Sequence, residues 1–364
     1  MKHLVIAVIL FLSSSCIFSQ ETHFTVTGKV FDIRTKAPLA GASVFAQNTT
    51  FGVASDLSGN FKLKLPLGGY VLVVTFTGYE TESMRISNSA DVSNIMIELK
   101  PKEKSMEEVS IVSSNEVKDG WVKYGQFFTD NFIGKSDFSK QVTIKNPEVL
   151  KFYFSKKRNR LKVLATEPVL VMNDALGYNV KFAIDSFTYE YNTNASLFIG
   201  YPLFEEMKGD TMQQQRWKEY RKMAYQGSLL HFMRALYNKT IAADGFEIQF
   251  LIKNNDNEKA LVLSNAYAAL NYSKDDSTRI VEFSPNQPDI IVLYKNAPPP
   301  QAYLDFDPKA KKEFQVSQLT IAQDQSIYIE QNGYFYQQSD VIVNGYWGFQ
   351  KVGDMLPYDY SDKE

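Results

Sequence analysis

The fold of the first part of this chain is decided by residues Thr27–Glu80, which read TGKVFDIRTKAPLAGASVFAQNTTFGVASDLSGNFKLKLPLGGYVLVVTFTGYE. Within and around this stretch, apolar residues alternate with polar ones in short runs. The residues that share one face of each run are Phe24, Val26, Gly28 and Val30; Ala42, Val44 and Ala46; Phe61, Leu63 and Leu65; Tyr70, Leu72, Val74 and Phe76; and Ile95, Ile97 and Leu99. A period of two indicates strands with one buried face. Turn residues separate the runs, at Pro38, Asp56–Asn60 and Pro66–Gly69. We therefore predict about seven short strands that form a β-sandwich.

The same stretch resembles the carboxypeptidase regulatory-like domain, a transthyretin-like β-sandwich. Gly28, Val30 and Asp32 match the first motif of that family, G-x-V-x-D. The later motifs are matched by Pro38, Leu39, Gly41, Ala42 and Val44, by Asp56, Gly59 and Phe61 with Ser55 in place of the common Thr, and by Pro66, Gly68, Tyr70, Gly78 and Tyr79. The resemblance implies the sandwich fold. It implies no catalysis, because the zinc chemistry that gave the family its name lies in a different domain.

The matched acidic residues also have a structural explanation. Asp56 can accept backbone N–H bonds within its own turn, while a catalytic or metal-binding role for Asp32 and Asp56 is the alternative. A zinc carboxypeptidase site needs two His and one Glu ligand. The three histidines of the chain are His3, His23 and His231, and none is paired with a Glu at motif spacing. We predict no catalytic residue, no bound metal and no cofactor.

Length and charge indicate the number of domains and the class of partner. The chain has 364 residues, which favours about two folded domains, and 44% of the residues are hydrophobic. Its formal net charge of −2 argues against nucleic acid as a partner.

Lys2 followed by the apolar run Leu4–Leu12 is typical of a secretory signal. This run is too short to span a bilayer, so no transmembrane span is expected in the mature chain. A lipid anchor at Cys16 is possible but not favoured, because Ser13 replaces the Leu-like residue of lipoprotein signals.

The expected segments are a signal peptide over 1–19, the sandwich over 20–99, a linker over 100–118 and an uncharacterised domain over 119–364. Within the linker, Glu108–Ile111 resembles a short segment that follows this sandwich in TonB-dependent receptors. The remaining residues are too few for a plug and a 22-stranded barrel. A direct TonB role is therefore the minor alternative to an ordinary linker.

Residues 119–364 are predicted to form an α+β domain with mainly antiparallel strands. The predicted strands are 150–154, 161–166, 169–172, 180–184, 187–191, 196–201, 246–252, 279–283, 290–294, 315–322 and 326–330. Residues 211–238 are the one convincing helical stretch, divided at Gly227, with Ser228 capping the second helix. The region resembles an uncharacterised domain of Gram-negative envelope proteins through Phe132, Ile133 and Gly134; Asn146 and Pro147; Asn173, Leu176, Gly177 and Tyr178; and Tyr225, Gly227, Ser228, His231 and Phe232. That resemblance brings no activity.

Several groups of residues are candidates for function. The helical pair carries a basic face, and the candidate binding residues on it are Arg216, Arg221, Tyr225, His231 and Arg234, with Lys218 and Lys222 nearby. A solvated helix face is the alternative. Nominal catalytic sets are Ser228 with His231 and Asp244, and Asp305 with Asp307 and Glu313. No G-x-S-x-G motif surrounds Ser228, and a helix cap explains it.

The C-terminal aromatic residues Tyr334, Phe335, Tyr336, Tyr346, Trp347 and Phe349 either pack against the sheet or form a platform for sugars. Asp210–Met212 and Asp276–Thr278 weakly resemble bacterial O-glycosylation sites in loops.

Taken together, these patterns predict an exported, non-enzymatic envelope protein of the periplasm or outer membrane. It would bind or scaffold another envelope component through its sandwich and C-terminal domain. The expected partner is another envelope protein or a glycan. The alternatives are an extracytoplasmic hydrolase and a glycan-binding accessory protein.

Overall fold

The computed structural model describes residues 23–102, 115–254, 257–322, 325–336 and 338–362. The strands are β1 His23–Asp32, β2 Ser43–Ala46, β3 Gly52–Ala54, β4 Asn60–Pro66, β5 Gly69–Thr75, β6 Glu82–Ser87, β7 Ile95–Leu99, β8 Val142–Ile144, β9 Leu150–Ser155, β10 Arg160–Ala165, β11 Val169–Asn173, β12 Tyr178–Glu190, β13 Ala195–Glu206, β14 Phe246–Asn254, β15 Asn257–Val262, β16 Ser273–Lys274, β17 Val281–Phe283, β18 Asp289–Tyr294, β19 Gln315–Ile321, β20 Ile327–Ile329 and β21 Val341–Gly345. The α-helices are α1 Gly120–Phe132, α2 Thr211–Tyr225, α3 Leu229–Asn238, α4 Ala266–Ala269, α5 Gln301–Phe306 and α6 Tyr346–Phe349. The predicted signal peptide, Cys16 and Glu108–Ile111 lie outside the described residues.

Strands β1–β7 form the predicted sandwich. One sheet has the order β4-β1-β7 and the other β3-β2-β5-β6. The alternation that predicted it is visible in β4, where Phe61, Leu63 and Leu65 are buried and the residues between them are exposed. The N-terminal β-sandwich and the mainly β class of the whole chain are thus confirmed.

Two motif residues of the sandwich have direct structural roles. A Cβ atom at Gly28 would lie 2.8 Å from the Phe61 ring and would collide with the carbonyl oxygen of Ile95, so only glycine fits there. Asp32 accepts hydrogen bonds from the Arg34 and Thr35 backbone N–H groups at 2.7 and 2.8 Å. The backbone N–H of Thr35 and the Tyr79 hydroxyl, which donates at 2.7 Å, are the main causes that hold the Asp32 pKa at about 2. Asp32 therefore closes its own turn and ties it to the end of the family motif.

After the sandwich comes a six-stranded sheet, called the second sheet because the sandwich is counted as the first unit. It has the order β8-β11-β12-β10-β9, with β13 paired along the other side of β12. The predicted strands 180–184 and 187–191 are in fact one long strand, β12. The register with β13 shifts between Ile184 and Ser186, and this β-bulge interrupts the alternation that the sequence prediction relied on. The prediction of two strands was wrong for that reason.

Helix α1 was not predicted, because residues 211–238 were taken as the one convincing helical stretch. Gly120 and Gly125 and its many aromatic residues lower its intrinsic helix propensity. Tertiary packing compensates: Phe128 and Phe132 are fully buried against the second sheet, and their rings contact Phe187 and Phe182 at centroid distances of 5.1 Å.

The third sheet, β15-β14-β18-β19-β21, packs against α3 and α6, beside a small sheet of order β16-β17-β20. The predicted helical pair is present as α2 and α3. Ser228 caps α3 by accepting from the His231 backbone N–H at 3.1 Å, and Gly227 between the helices has φ 76°. This cap was predicted from sequence.

A buried acid ties the chain end to the loop after α1. Asp354 accepts from the Lys351 backbone N–H at 3.1 Å, and the Gly353 N–H donates to the Ile133 carbonyl at 2.8 Å. Burial raises the pKa of Asp354 to about 6, although a hydrogen bond from Ser136 works against the shift. The carboxylate is thus held where its charged form is poorly hydrated.

We expect Gly28→Ala to loosen the pairing of β1 with β7, because the new methyl group must displace Phe61 or the Ile95 carbonyl. The free energy of unfolding should fall by about 1–3 kcal/mol, the usual cost of overpacking. Hydrogen exchange of β7 amides in the full chain measures the effect, with Thr25→Ala on the same strand as control. Equal exchange in the two variants would contradict the assignment.

We expect Asp354 to make the chain less stable as pH rises. Its pKa is raised in the folded state, so its stabilising contribution is complete below pH 4 and is lost through pH 6. The shift corresponds to roughly 3 kcal/mol at most. Urea unfolding of the wild type and Asp354→Asn at pH 5 and pH 8 tests this. The difference between the two proteins should change with pH; parallel profiles would rule the role out.

Candidate functional site

The sandwich docks onto the second sheet through its β2–β3 turn. The Asn48 backbone N–H donates to the Pro202 carbonyl at 2.7 Å, and the Phe204 N–H donates to the Thr49 carbonyl at 2.9 Å. Asn48 has φ 55°, a conformation that Asn tolerates better than most residues. The turn therefore adds a short parallel segment to the edge of β13.

The chain end closes over the same turn. The Tyr358 N–H donates to the Asn48 carbonyl at 2.7 Å, and Thr50 gives Asp359 both its backbone N–H, at 2.9 Å, and its hydroxyl. Burial raises the Asp359 pKa, while the Thr50 bonds oppose the shift. Residues more than 300 positions apart thus share one polar contact.

A second contact joins β6 to the segment that follows β20. Arg85 stacks on the Tyr336 ring, 4.0 Å from its centroid, and its guanidinium lies 3.6 Å from the Glu330 carboxylate. The Tyr336 hydroxyl donates to the same carboxylate. Glu330 is only 5% exposed, so it needs this pairing. The sandwich is therefore held at two separate places.

A cleft of about 200 Å³ opens between the sandwich and the second sheet. One wall is the loop after β5 with Lys102, and the other wall comes from the β10–β11 turn and the bulged part of β12. The polar residues of its lining include Thr75, Thr77, Tyr79, Thr81, Lys102, Glu167 and Asp185. Hydroxyl groups and both signs of charge thus converge on one opening.

Asp185 is the distinctive acid of the cleft. It is the residue skipped between Ile184 and Ser186 in the pairing of β12 with β13, and it lines the cleft. The nearby walls limit its hydration and raise its pKa, and the Lys102 ammonium partly offsets this. The cleft can therefore hydrogen-bond a polar ligand and match charges of either sign.

The predicted binding residues of α2 contact the turn before β12. Arg221 donates to the Leu176 carbonyl through Nε at 2.7 Å and to the Gly177 carbonyl at 3.1 Å. Its guanidinium stacks on the Tyr178 ring at 3.9 Å and pairs with Glu206 at 2.8 Å. Arg216 donates to the Asp174 carbonyl at 3.4 Å. Both arginines thus have internal partners.

Tyr225, His231 and Arg234 come together beside the chain end. The Gly227 N–H donates to His231 Nδ1 at 3.2 Å, and the ring packs on Tyr225 and Phe246. Burial lowers the His231 pKa. Arg234 donates to the Asn332 and Tyr358 carbonyls, each at 3.0 Å. The sequence pattern predicts His231 and Arg234 opposite the apolar face of the helix, whereas His231 lies among the aromatic rings of Tyr225, Phe246 and Tyr294.

The nominal catalytic sets have simple structural partners. The Ser228 hydroxyl is occupied as the α3 cap, and Asp244 accepts from the Thr240 hydroxyl at 2.5 Å. Asp305 accepts from Gln301 at 2.7 Å, and Asp307 from the Lys309 backbone N–H at 3.1 Å. These hydrogen bonds give Ser228, Asp244, Asp305 and Asp307 structural roles that require no catalysis.

The C-terminal aromatic residues pack inward. Tyr334, Phe335, Tyr346, Trp347 and Phe349 are all buried, and the Trp347 indole donates to the Gly227 carbonyl at 2.6 Å. The expectation of a loop at Asp210–Met212 was wrong, since Asp210 caps α2 through a capping box and Thr211 is its first residue. Asp276–Thr278 does lie in an exposed turn.

The cleft was missed by sequence reasoning. Its residues come from positions 41–102 and 165–185, and the hydroxyl residues at the end of β5 and in the loop after it form no recognisable motif. The bulge at Asp185 gave the one usable signal, a break in the alternation of β12. Within the described ranges, no helix combines the length and apolarity that crossing a membrane requires.

Residues 26–111 match the family model described as the CarboxypepD_reg-like domain, which confirms the predicted domain type. The TonB-dependent receptor SusC of Bacteroides thetaiotaomicron is 33% identical over 101 residues, which make up 28% of this chain and 9% of the receptor. The chain thus spans a small part of that relative.

Two solved structures are similar in part. A chain of a type II cohesin–X–dockerin complex from Acetivibrio cellulolyticus is 21% identical over 31% of this chain and 77% of its own, with a TM-score of 0.19. A putative membrane-associated protein of unknown function from Bacteroides fragilis is 11% identical over 89% of this chain and 98% of its own, with a TM-score of 0.18. Scores this low carry no argument about fold or function.

We expect Arg221→Ala to lower the free energy of unfolding by about 2 kcal/mol, because it removes charged hydrogen bonds from two carbonyl groups. Arg221→Lys should recover only part of this, since Lys lacks the planar fork. Urea denaturation of the full chain measures both, with Lys218→Ala on the exposed face of α2 as control. A loss no larger than that of the control would show that Arg221 is not structural.

Proposed function

We propose that this chain is an exported, non-enzymatic module of the cell envelope that binds another envelope component in the cleft between its sandwich and its second sheet. The observation that carries the proposal is that the cleft walls come from both parts and are fixed by two separate contacts. Such a composite surface forms only when the two parts are docked. The sandwich then acts both as a binding wall and as a rigid spacer.

The envelope location is supported by two independent features. The N-terminus is typical of a secretory signal. A stretch of 101 residues of this chain is 33% identical to part of SusC, a TonB-dependent receptor. Together they support a location in the periplasm or at the outer membrane.

The chemistry of the cleft favours a polar segment of a protein as the ligand. Thr75, Thr77 and Thr81 offer hydroxyl groups that donate and accept, while Asp185 and Lys102 provide one charge of each sign. Backbone amides and mixed side chains of an extended peptide would match this set. A glycan is the second candidate, because its hydroxyl groups also pair with threonines and a carboxylate.

The α2–α3 residues Arg216, Arg221, His231 and Arg234 remain a second proposed surface, and the buried Tyr225 would support it from beneath by packing under Arg234. Their internal hydrogen bonds would hold them in place for a partner that contacts the helices. This surface lies apart from the residues that line the cleft. Substitutions can therefore separate the two.

We expect a photo-crosslinking amino acid at Thr77 or Glu167, both exposed at the cleft, to capture one envelope component in intact cells that naturally produce the protein. Glu258 on β15 is the control position, exposed and outside the cleft. Mass spectrometry of the adducts identifies a protein, and glycan-specific staining identifies a sugar.

Asp185→Lys should reduce the yield of this adduct at least several-fold, because it replaces the negative charge at the bulge with a positive one. Lys218→Ala should leave the yield unchanged. Equal adducts from the cleft and control positions would refute binding in the cleft. A specific adduct together with turnover of the captured component would instead support the hydrolase alternative.

A further inference from the structure

Strand β13 is an edge strand whose outer side is only partly covered. It pairs with β12 along its whole length, and on the other side Asn48 and Thr49 occupy the positions of Pro202–Phe204. Nothing within the described residues pairs with the rest of that side, residues 195–201. A free edge of this kind is a template for another strand.

The direction of the unpaired backbone groups follows from the contact with the sandwich. The Pro202 carbonyl and the Phe204 N–H point outward, because they bond to Asn48 and Thr49. Backbone groups alternate with a period of two along a strand. The N–H and C=O groups of Ser196, Phe198 and Gly200 therefore point to the same free side.

The side chains along this edge are uncharged and mostly apolar. Residues 195–201 read ASLFIGY. Leu197 is 60% exposed and Ile199 is 48% exposed, on the sheet face that also carries Tyr201. Phe198 points to the other face, against Phe132 at a centroid distance of 5.4 Å. Exposed aliphatic residues beside an open backbone edge form an interaction surface rather than a solvated one.

Other edge strands carry features that protect them. Strand β15 has Glu258 and Lys259, and strand β6 has Glu82 and Arg85. Strand β21 has five residues and ends at Gly345, whose φ is 69°. Charges and short length are the usual means of blocking edge pairing. Strand β13 has neither over residues 195–201.

We propose that the free edge of β13 binds the same edge of a second copy of this chain, antiparallel and centred on Phe198. In this register Phe198 faces its equivalent, and Ser196 faces Gly200 of the second copy. These pairs would exchange about six backbone hydrogen bonds. Leu197 would lie opposite Ile199 of the second copy, twice, so that the four exposed aliphatic side chains cover one another.

The sequence and the sandwich both limit this pairing to one register. Pro202 has no N–H, and its carbonyl is already bonded to Asn48, so the ladder ends there. At the other end β13 begins after the turn at Asn194. The seven free residues are self-complementary about their middle position, Phe198. A shift by one residue would place Leu197 and Ile199 of one copy on the opposite face of the joined sheet from those of the other copy, so that they no longer meet. The short ladder predicts a reversible dimer.

Analytical ultracentrifugation of the full mature chain, from micromolar to millimolar concentration, tests the proposal. The wild type should form dimers as concentration rises. L197K/I199K should stay monomeric, because like charges would face each other across the axis, while its circular dichroism should be unchanged since both side chains are exposed. The control is Ile342→Lys on β21, which is also 60% exposed and should dimerise like the wild type.

Cysteine pairs test the register directly. The chain has one cysteine, Cys16, in the segment expected to be removed, so L197C/I199C introduces the only thiols of the mature chain. Mild oxidation should give disulfide-linked dimers, and L261C/V262C on β15 should not. A wild type that stays monomeric throughout would overturn the proposal. So would a L197K/I199K variant that still dimerises, or equal crosslinking at β15.

Discussion

The β2–β3 turn of the sandwich is held by backbone hydrogen bonds on both of its sides. Asn48 donates to Pro202 and accepts from Tyr358, and Thr49 accepts from Phe204. Buried backbone groups must find partners, so the turn, β13 and the chain end have to be in place together. Because Asn48 is itself buried, opening this contact would leave several polar groups unpaired. The position of the sandwich on the rest of the chain follows from this requirement.

The cleft and the free edge of β13 both depend on that docking. The turn covers β13 at Pro202–Phe204, and no strand of the described ranges pairs with the outer side of residues 195–201. The loop after β5 comes to lie over the β12 bulge. The second contact, from Arg85 to Glu330 and Tyr336, resists rotation of the sandwich about the first. Two surfaces with different chemistry result: a polar cleft with charges of both signs, and an apolar strand edge. The cleft suits a polar ligand and the strand edge suits another strand, and both are binding surfaces.

Sequence patterns predicted the elements whose residues contact their own neighbours in the chain. The sandwich strands show clear alternation, and Ser228 and Gly227 mark the boundary of α2 and α3 through local capping. Helix α1 was not predicted because its glycines oppose helix formation locally. Phe128 and Phe132 stabilise it only by packing against strands that are distant in the sequence. Strand β12 was divided in two because its bulge breaks the period of two. The arginines of α2 were predicted to form a basic face for binding, with a solvated face as the alternative, since nothing local shows that Arg221 bonds to a turn more than forty residues away.

The sequence by itself determined the seven-stranded sandwich, its motif residues and the mainly β character of the chain, because alternation, turn residues and caps act over a few positions. Only the tertiary structure decided which polar residues converge. Asp185 and Lys102, or Asn48 and Tyr358, are brought together by docking, and no spacing along the chain encodes that distance. It also decided which edge stays open, since β13 reads like any paired strand until the sandwich is seen to cover one end of it and stop at Pro202.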